Sequence, residues 1–305
     1  MDRDRLRALI DAALHAIERG AKRRDNRPAP AVEPAELARR VRAALTDPTG
    51  LLPATGHGEM EALAGLTELF ALGAVDPAHP HAAAHLHCPP LPVAVAADLV
   101  AGLLNQSLDS WDQGPAAITI EREVIRALAE LAGLDPARAG GVITTGGTES
   151  NLMGLLLARE AGHRTILCSE HAHFSIQRAA GLLGLGPDAV TAIPAGAGAG
   201  HRMDTTALAL ALTGIDSGTA TVVATAGTTG TGSIDPLPEI AVLAAERRAW
   251  LHVDAAYGGG ALFSDRLAPL LAGLDRADSI ALDLHKIGWQ PVPAGVFLAA
   301  DDRRF

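Results

Sequence analysis

The sequence predicts an α/β fold built on a mostly parallel, doubly wound sheet. Three observations predict it. From position 141 onward seven short apolar, β-branched runs recur, helical stretches alternate with them, and each of the first six runs ends in a Gly-, Ser- or Asp-rich turn. Alternation of this kind builds βαβ units whose crossover helices cover both faces of the sheet. At 305 residues the chain has room for about two domains of roughly 100–200 residues each, or for one large α/β domain with an appendage. Hydrophobic residues make up 48% and charged residues 20%, which supplies a sizeable core and excludes a chain disordered by its composition. Aromatic residues are only 3% while glycines number 32, which fits tight packing and βα turns rather than an aromatic-rich β-sandwich.

The elements follow in order. Residues 5–19 place Leu6, Ile10, Ala13, Leu14 and Ile17 on one stripe, an amphipathic helix. A Pro-rich linker covers 26–34, and Pro34 then opens a helix carrying Leu37, Val41 and Leu45, as proline does in a first turn. This pair has too little core to stand alone, so residues 1–78 are expected to form an N-terminal helical segment, a dimer arm that packs on a second subunit or on the main domain. Further helices are predicted over 60–72, 93–104 and 118–132. The main α/β domain is expected over 79–305. Its seven strands are predicted at 141–145, 165–169, 189–194, 219–227, 250–256, 279–284 and 294–300. The Ala-Gly repeat at 195–200 is read as a flexible connection. In sheets of this class ligands lie beyond the carboxyl ends of the strands.

Charge and cysteine content exclude several functions. Lys and Arg total 25 against 35 Asp and Glu, a net charge of −10, which argues against nucleic acid or an anionic membrane as the main partner. Two cysteines, Cys88 and Cys168, cannot staple a secreted fold, which favours a reducing, cytoplasmic setting. The N-terminus is charged from its second residue. No apolar stretch reaches the roughly 18 residues of a membrane span, so neither a signal peptide nor a span is expected.

Three strand ends carry chemistry. Thr144-Thr145-Gly146-Gly147-Thr148-Glu149-Ser150-Asn151 follows a strand and opens an apolar helix. Small residues at a helix N-terminus leave backbone N–H groups free, and with the helix dipole these suit a phosphate. An ordinary capped turn gives the same pattern, and no Gly-Lys-Ser/Thr follows to make a P-loop. The run from His252 to Gly259 ends its strand with Asp254. An acid in a sheet crevice needs a cationic partner such as a protonated heterocycle nitrogen; a metal or a plain turn are the alternatives. The sixth run ends with His285-Lys286, about one crossover later, so that Asp254 and Lys286 are expected to flank one crevice. Lys286 sits between an apolar strand and Ile287-Gly288-Trp289, which makes it a Schiff-base candidate rather than a solvated side chain. Phosphate turn, acid and lysine, each after a strand and in that order, together match what pyridoxal 5′-phosphate requires.

Residues 79–300 resemble the group II pyridoxal-phosphate-dependent amino-acid decarboxylases. The motifs that carry the resemblance are HPHAAAHLHCPP, NQSLDSWDQGPAA, TTGGTESNL, EHAHFSIQRA, ATAGTTGTGSIDPL, HVDAAYGGG and SIALDLHK. The resemblance implies the large domain of the aspartate aminotransferase fold (fold type I), with a mostly parallel seven-stranded sheet. It also implies roles. Lys286 would hold the cofactor as a Schiff base and Asp254 would pair with the pyridinium. His173 would stack on the ring with Ala256 beneath it. Gly147, Thr148 and His285 would contact the phosphate, and Thr229 would lie near the substrate carboxylate and the ring. Asp283 stands where some relatives have Asn and is not given a phosphate contact.

The implied reaction is decarboxylation of an L-amino acid to an amine and carbon dioxide. The segments AHLHCPP and NQSLDSWDQGP most resemble decarboxylases of basic amino acids such as 2,4-diaminobutyrate or lysine; an aromatic-L-amino-acid decarboxylase is the alternative. A homodimer is implied. Relatives continue past the position of Phe305 with a mobile loop and a small C-terminal domain. A half enzyme that pairs with a separate C-terminal chain, a fragment, and a non-catalytic cofactor-binding dimer partner are therefore also expected possibilities.

Other patterns are set aside. His79, His81, His85, His87 and Cys88 are unevenly spaced for a metal, with no second half at ligand spacing. Gly184-x-Gly186-x-x-Ala189 mimics a dinucleotide fingerprint but precedes a strand instead of following one. No Gly-x-Ser-x-Gly elbow is present. Cys168 lies in an apolar run and reads as core.

Overall fold

The structure is a computed structural model that describes residues 2–46, 55–83, 86–196 and 200–304. His85, Phe305 and the middle of the 195–200 repeat lie outside the described residues. The chain divides into two compact units, Met1–His85 and Leu86–Phe305.

The first unit holds helices α1 (Arg3–Arg23), α2 (Pro34–Leu45) and α3 (Glu59–Gly73). Asp2 caps α1 by accepting from the N–H groups of Asp4 and Arg5, both at 3.1 Å. Helices α1 and α3 approach closely at Gly20, where a Cβ would overlap Ala71. The Arg24 guanidinium then donates to the carbonyls of Ala71, Ala74 and Arg27, closing the C-terminal end of α3, whose last carbonyls have no helical partner. Arg19 and Arg23 both pair with Glu68. The apolar stripe is only partly used: Ala16 and Ala71 are buried, while Leu14, Ile17, Leu66 and Phe70 stay exposed.

The second unit contains α4 (Pro92–Leu104), α5 (Pro115–Leu131) and the sheet domain. All seven predicted strands form, as β1 (Gly140–Thr144), β2 (Thr165–Ser169), β3 (Val190–Ile193), β6 (Ala220–Thr225), β7 (Trp250–Ala255), β8 (Ser279–Asp283) and β9 (Gly295–Ala299). Ala195–Gly196, the first two residues of the stretch read as a flexible connection, form strand β4 in a short antiparallel pair with β5 (Arg202–Met203). The seven strands lie in the order β1-β9-β8-β7-β6-β2-β3. Every neighbouring pair is parallel except those of β9, which runs against both β1 and β8. A parallel return needs a crossover of about a dozen residues or more, usually helical. The link from β8 to β9 has no regular helix, so β9 folds back antiparallel.

Strands β6 to β9 are buried at every position, as expected of strands covered on both faces. One face packs against α5, α8 (Thr205–Thr213) and α9 (Leu237–Glu246), through Leu128, Leu208, Ile240 and the strand residues Val222, Leu251, Val253 and Ile280. The other packs against α6 (Gly147–Glu160) and α7 (Ser175–Leu182), through Leu155, Leu157, Ile176, Val223, Trp250 and Phe297. Because side chains alternate along a strand, Trp250, His252 and Asp254 share the α6 side of β7. Cys168 is wholly buried in this second layer and burial pushes its thiol up to about 11, so it is core.

Helix α6 comes close enough to β7 that residue 154 has no room for a side chain. A Cβ there would overlap the His252 ring. In a free helix interior Ala is more stable than Gly by roughly 1 kcal/mol. Gly154→Ala is expected to reverse that sign and lower the urea unfolding midpoint; a midpoint equal to or above that of the parent chain would show that α6 can retreat from the sheet.

Candidate active site

Parallel strands β6, β7 and β8 end side by side, and the turn after β1 brings the start of α6 to the same edge. A cavity of about 250 Å³ opens there. All eight residues singled out from the sequence line it: Gly147, Thr148, His173, Thr229, Asp254, Ala256, His285 and Lys286. Asp254 ends β7 and Lys286 lies just beyond the end of β8, the adjacent parallel strand.

Asp254 is 5% exposed. Its Oδ2 accepts from Asn151 Nδ2 at 2.8 Å and its Oδ1 accepts from the Ala256 N–H at 3.1 Å. Asn151 Nδ2 also donates to Ser175 Oγ at 2.9 Å, and Ser175 Oγ lies 2.9 Å from His173 Nδ1. Burial lowers the His173 pKa against the pull of Asp254, so its imidazole is neutral at neutral pH.

The start of α6 forms a cradle. First-turn N–H groups have no partner within their own helix and carry the positive end of the dipole. Gly147 packs against Ala256, and a Cβ on Gly147 would come within 2.6 Å of the Ala256 methyl, so backbone rather than side chain faces the cavity. Glu149 reaches back to accept from Thr145 N–H at 2.6 Å and Thr145 Oγ1 at 2.7 Å, which closes the preceding turn.

Asp283, set aside in the sequence, sits at the centre of this cradle. Its Oδ2 accepts from the Gly147 N–H at 3.1 Å and lies 3.9 Å from Lys286 Nζ. Its Oδ1 and His285 Nδ1 are 2.6 Å apart without hydrogen-bond geometry. The chain contains two lysines, Lys22 and Lys286, and only Lys286 lines the cavity. His87 stacks edge-on against His285, with ring centroids 5.5 Å apart.

Among the described residues, Asp283 Oδ1, His285 Nδ1 and Thr225 Oγ1 are buried with no hydrogen-bond partner, and all three belong to residues of this one cavity. Asp283 Oδ1 and His285 Nδ1 face each other at 2.6 Å, which leaves Thr225 Oγ1 as the atom a polar ligand would satisfy. The donor set of backbone N–H, Thr148 hydroxyl and imidazole fits a phosphate. An amine at Lys286 fits an aldehyde, and a carboxylate at Asp254 fits a protonated ring nitrogen. Pyridoxal phosphate therefore fits the residues present, with the charge of Asp283 the one feature that opposes its phosphate.

Sequence reasoning missed Thr225, Ser175 and His252. Their signal was polarity at alternate positions of otherwise apolar strands and at the first position of a helix. Among the described residues no group of three His, Cys, Asp or Glu side chains is placed to hold a metal ion, and no helix is long and apolar enough to cross a membrane.

Residues 66–304 match the family described as "Pyridoxal-dependent decarboxylase conserved domain". The chain is 47% identical over 272 residues to an L-2,4-diaminobutyrate decarboxylase of Rhizobium meliloti, covering 86% of this chain and 54% of that protein. It is 36% identical over 279 residues to an L-2,4-diaminobutyrate decarboxylase of Acinetobacter baumannii, covering 82% and 54%. The chain thus spans about half the length of these curated relatives. Among solved structures, the glutamate decarboxylase domain of a diaminobutyrate-pyruvate transaminase and L-2,4-diaminobutyrate decarboxylase from Vibrio parahaemolyticus superposes with a TM-score of 0.86 at 34% identity, covering 98% of this chain and 68% of that one.

Burial raises the Asp283 pKa, opposed by the Gly147 N–H, His285 and Lys286. The folded chain therefore holds that proton more tightly than the unfolded chain. The stabilisation is complete below the unfolded value and is lost as pH rises through the folded one. Asp283→Asn keeps an oxygen for the Gly147 N–H and removes the buried charge. It is expected to raise the melting temperature of the cofactor-free protein by a few degrees at about pH 7.5, with the gain shrinking toward about pH 4.5. A loss of stability at the higher pH would show that the charge pairs of Asp283 outweigh its burial.

Proposed function

We propose, from the premise that this chain belongs to the pyridoxal-dependent decarboxylase family, that its cavity binds pyridoxal 5′-phosphate and removes the α-carboxylate of an L-amino acid, with L-2,4-diaminobutyrate the favoured substrate. The observation that carries the reading is that Lys286, Asp254 and the start of α6 line one cavity, although they are far apart in the chain. When bound, the cofactor supplies an electron sink for the pair left behind as carbon dioxide departs.

The protein's own residues do the rest. Lys286 provides the amine for the cofactor's aldehyde. Asp254, fixed by Asn151 and the Ala256 N–H, holds a proton at the pyridine nitrogen. The ring of His173 would cover one face of the cofactor, with the Ala256 methyl at the other. Gly147, Thr148 and His285 would hold the phosphate, and Thr229 would lie toward the substrate carboxylate. The burial of Asp254 itself strengthens its pull on a cationic ring nitrogen.

Support for the substrate comes from the diaminobutyrate decarboxylase of Rhizobium meliloti, 47% identical over 86% of this chain. A homodimer is part of the proposal. Helix α4 exposes Val93, Val95, Leu99, Val100, Leu103 and Leu104, a continuous apolar surface suited to a second copy.

The test is carbon dioxide release from L-2,4-diaminobutyrate, lysine, ornithine and aromatic amino acids. Diaminobutyrate is expected to be turned over fastest. Asp254→Asn is expected to keep cofactor binding while turnover falls by orders of magnitude, the signature of an interaction needed in the transition state. Cofactor binding with no release from any substrate would leave a binding protein in place of the enzyme. Unchanged turnover in Asp254→Asn would remove Asp254 from the mechanism.

A further inference from the structure

The deepest polar feature of the sheet lies beneath the cavity. Trp250 Nε1 donates to Ser279 Oγ at 2.9 Å, Ser279 Oγ lies 2.8 Å from His252 Nδ1, and His252 Nε2 lies 2.9 Å from Asn151 Oδ1. From Asn151 the path forks to Asp254 and, through Ser175, to His173. His252 and Ser279 are wholly buried, and Trp250, Asn151, Ser175 and Asp254 nearly so.

The direction of every hydrogen in this path follows from the chemistry of its ends. The indole of Trp250 only donates, and a carboxylate at Asp254 only accepts. Asn151 must therefore turn its NH₂ toward Asp254, where the second hydrogen reaches Ser175. Its carbonyl is left facing His252, so His252 must carry its proton on Nε2 and accept on Nδ1. Ser279, receiving from Trp250, gives its own hydrogen to that Nδ1. Ser175, receiving from Asn151, gives its hydrogen to His173 Nδ1, which also accepts from the Ser175 N–H at 3.3 Å, and the His173 proton is left on Nε2.

We propose that Trp250, Ser279, His252 and Asn151 form a one-directional hydrogen-bond relay that fixes the carboxylate of Asp254, with His252 as a positioning residue. The proposal rests on the reading that Asp254 meets the pyridine nitrogen. A neutral His252 is essential to it. An imidazolium would place a buried cation near Asp254 and weaken that carboxylate as counter-charge to the cofactor. Burial holds His252 down at about 4, in keeping with this requirement. Gly154 serves the same arrangement, since any side chain there would displace the His252 ring.

Two measurements decide the matter. In the cofactor-free protein, nitrogen-15 NMR of the histidine rings reports tautomers directly, and needs no cofactor and no turnover. The expected result is the Nε2–H form for both His252 and His173, with His252 unchanged between about pH 5.5 and 8.5. In Ser175→Ala both rings are expected to keep the Nε2–H form, because the Ser175 N–H still donates to His173 Nδ1. An Nδ1–H form of His252, or its titration within that range, would overturn the relay. The second measurement uses nitrogen-15-labelled pyridoxal phosphate bound to the parent protein and to His252→Phe. The pyridine nitrogen of the variant is expected to hold its proton at least about tenfold more weakly, a shift of about one pH unit. A folded, cofactor-loaded His252→Phe with an unshifted nitrogen would overturn the proposal. If the parent binds no cofactor, the functional reading fails, while the tautomer measurement still judges the relay. If His252→Phe does not fold, the same tautomer measurement decides.

Discussion

A carboxylate buried at the end of a central strand is the constraint around which this domain is arranged. Asp254 sits where an unpaired charge would be costly to keep. The hydrogen bonds from Asn151 and the Ala256 N–H meet part of that demand. They also dictate geometry around them. Asn151 must stand on the first turns of α6, α6 must lie close to β7, and residue 154 must be glycine to allow it. The same close approach delivers the start of the helix, with its Gly147 N–H met by Asp283, to the edge of the sheet where Lys286 emerges. One buried acid thus ties together the helix that can cradle an anion and the strand ends that carry the amine.

The electrostatics of the cavity differ between the start of α6 and the end of β7. Asp254 has neutral donors on both oxygens, whereas Asp283 shares its surroundings with His285, Lys286 and the dipole of α6. Burial raises the Asp283 carboxyl and lowers the His285 imidazole, so both are drawn toward their neutral forms. A neutral pair offers a phosphate one more donor instead of a competing charge. The helix start that can hold a phosphate is capped by a carboxylate in the cofactor-free chain, and the same backbone donor serves either anion.

Much of the fold was legible because parallel strands covered on both faces are written as unbroken apolar runs. Thr165–Ser169 was placed to the residue, and the other six runs within a residue or two. The direction of β9 was not legible, since nothing in its residues distinguishes it from a parallel strand; the absence of a helix in the link before it decides the matter. The eight site residues were found from small-residue turns and from charged residues at strand ends, and the structure brings them to one cavity. The supporting polar residues were not found. His252 and Ser279 lie inside apolar runs, and only the pairing of β7 with β8 and the register of α6 above them reveals that they meet. Asp283 was passed over because a departure from a family pattern says where to look without saying what the new side chain does.

The central claim is that one cavity at the carboxyl ends of β6, β7 and β8 binds pyridoxal phosphate through Lys286. Saturating the purified protein with pyridoxal phosphate, reducing with borohydride and mapping the labelled peptides tests it most directly, with two lysines and the N-terminal amine as the groups to be told apart. The account requires one label per chain, on Lys286, with a saturable visible absorption change before reduction. A label on Lys22, or no label at all, would contradict it.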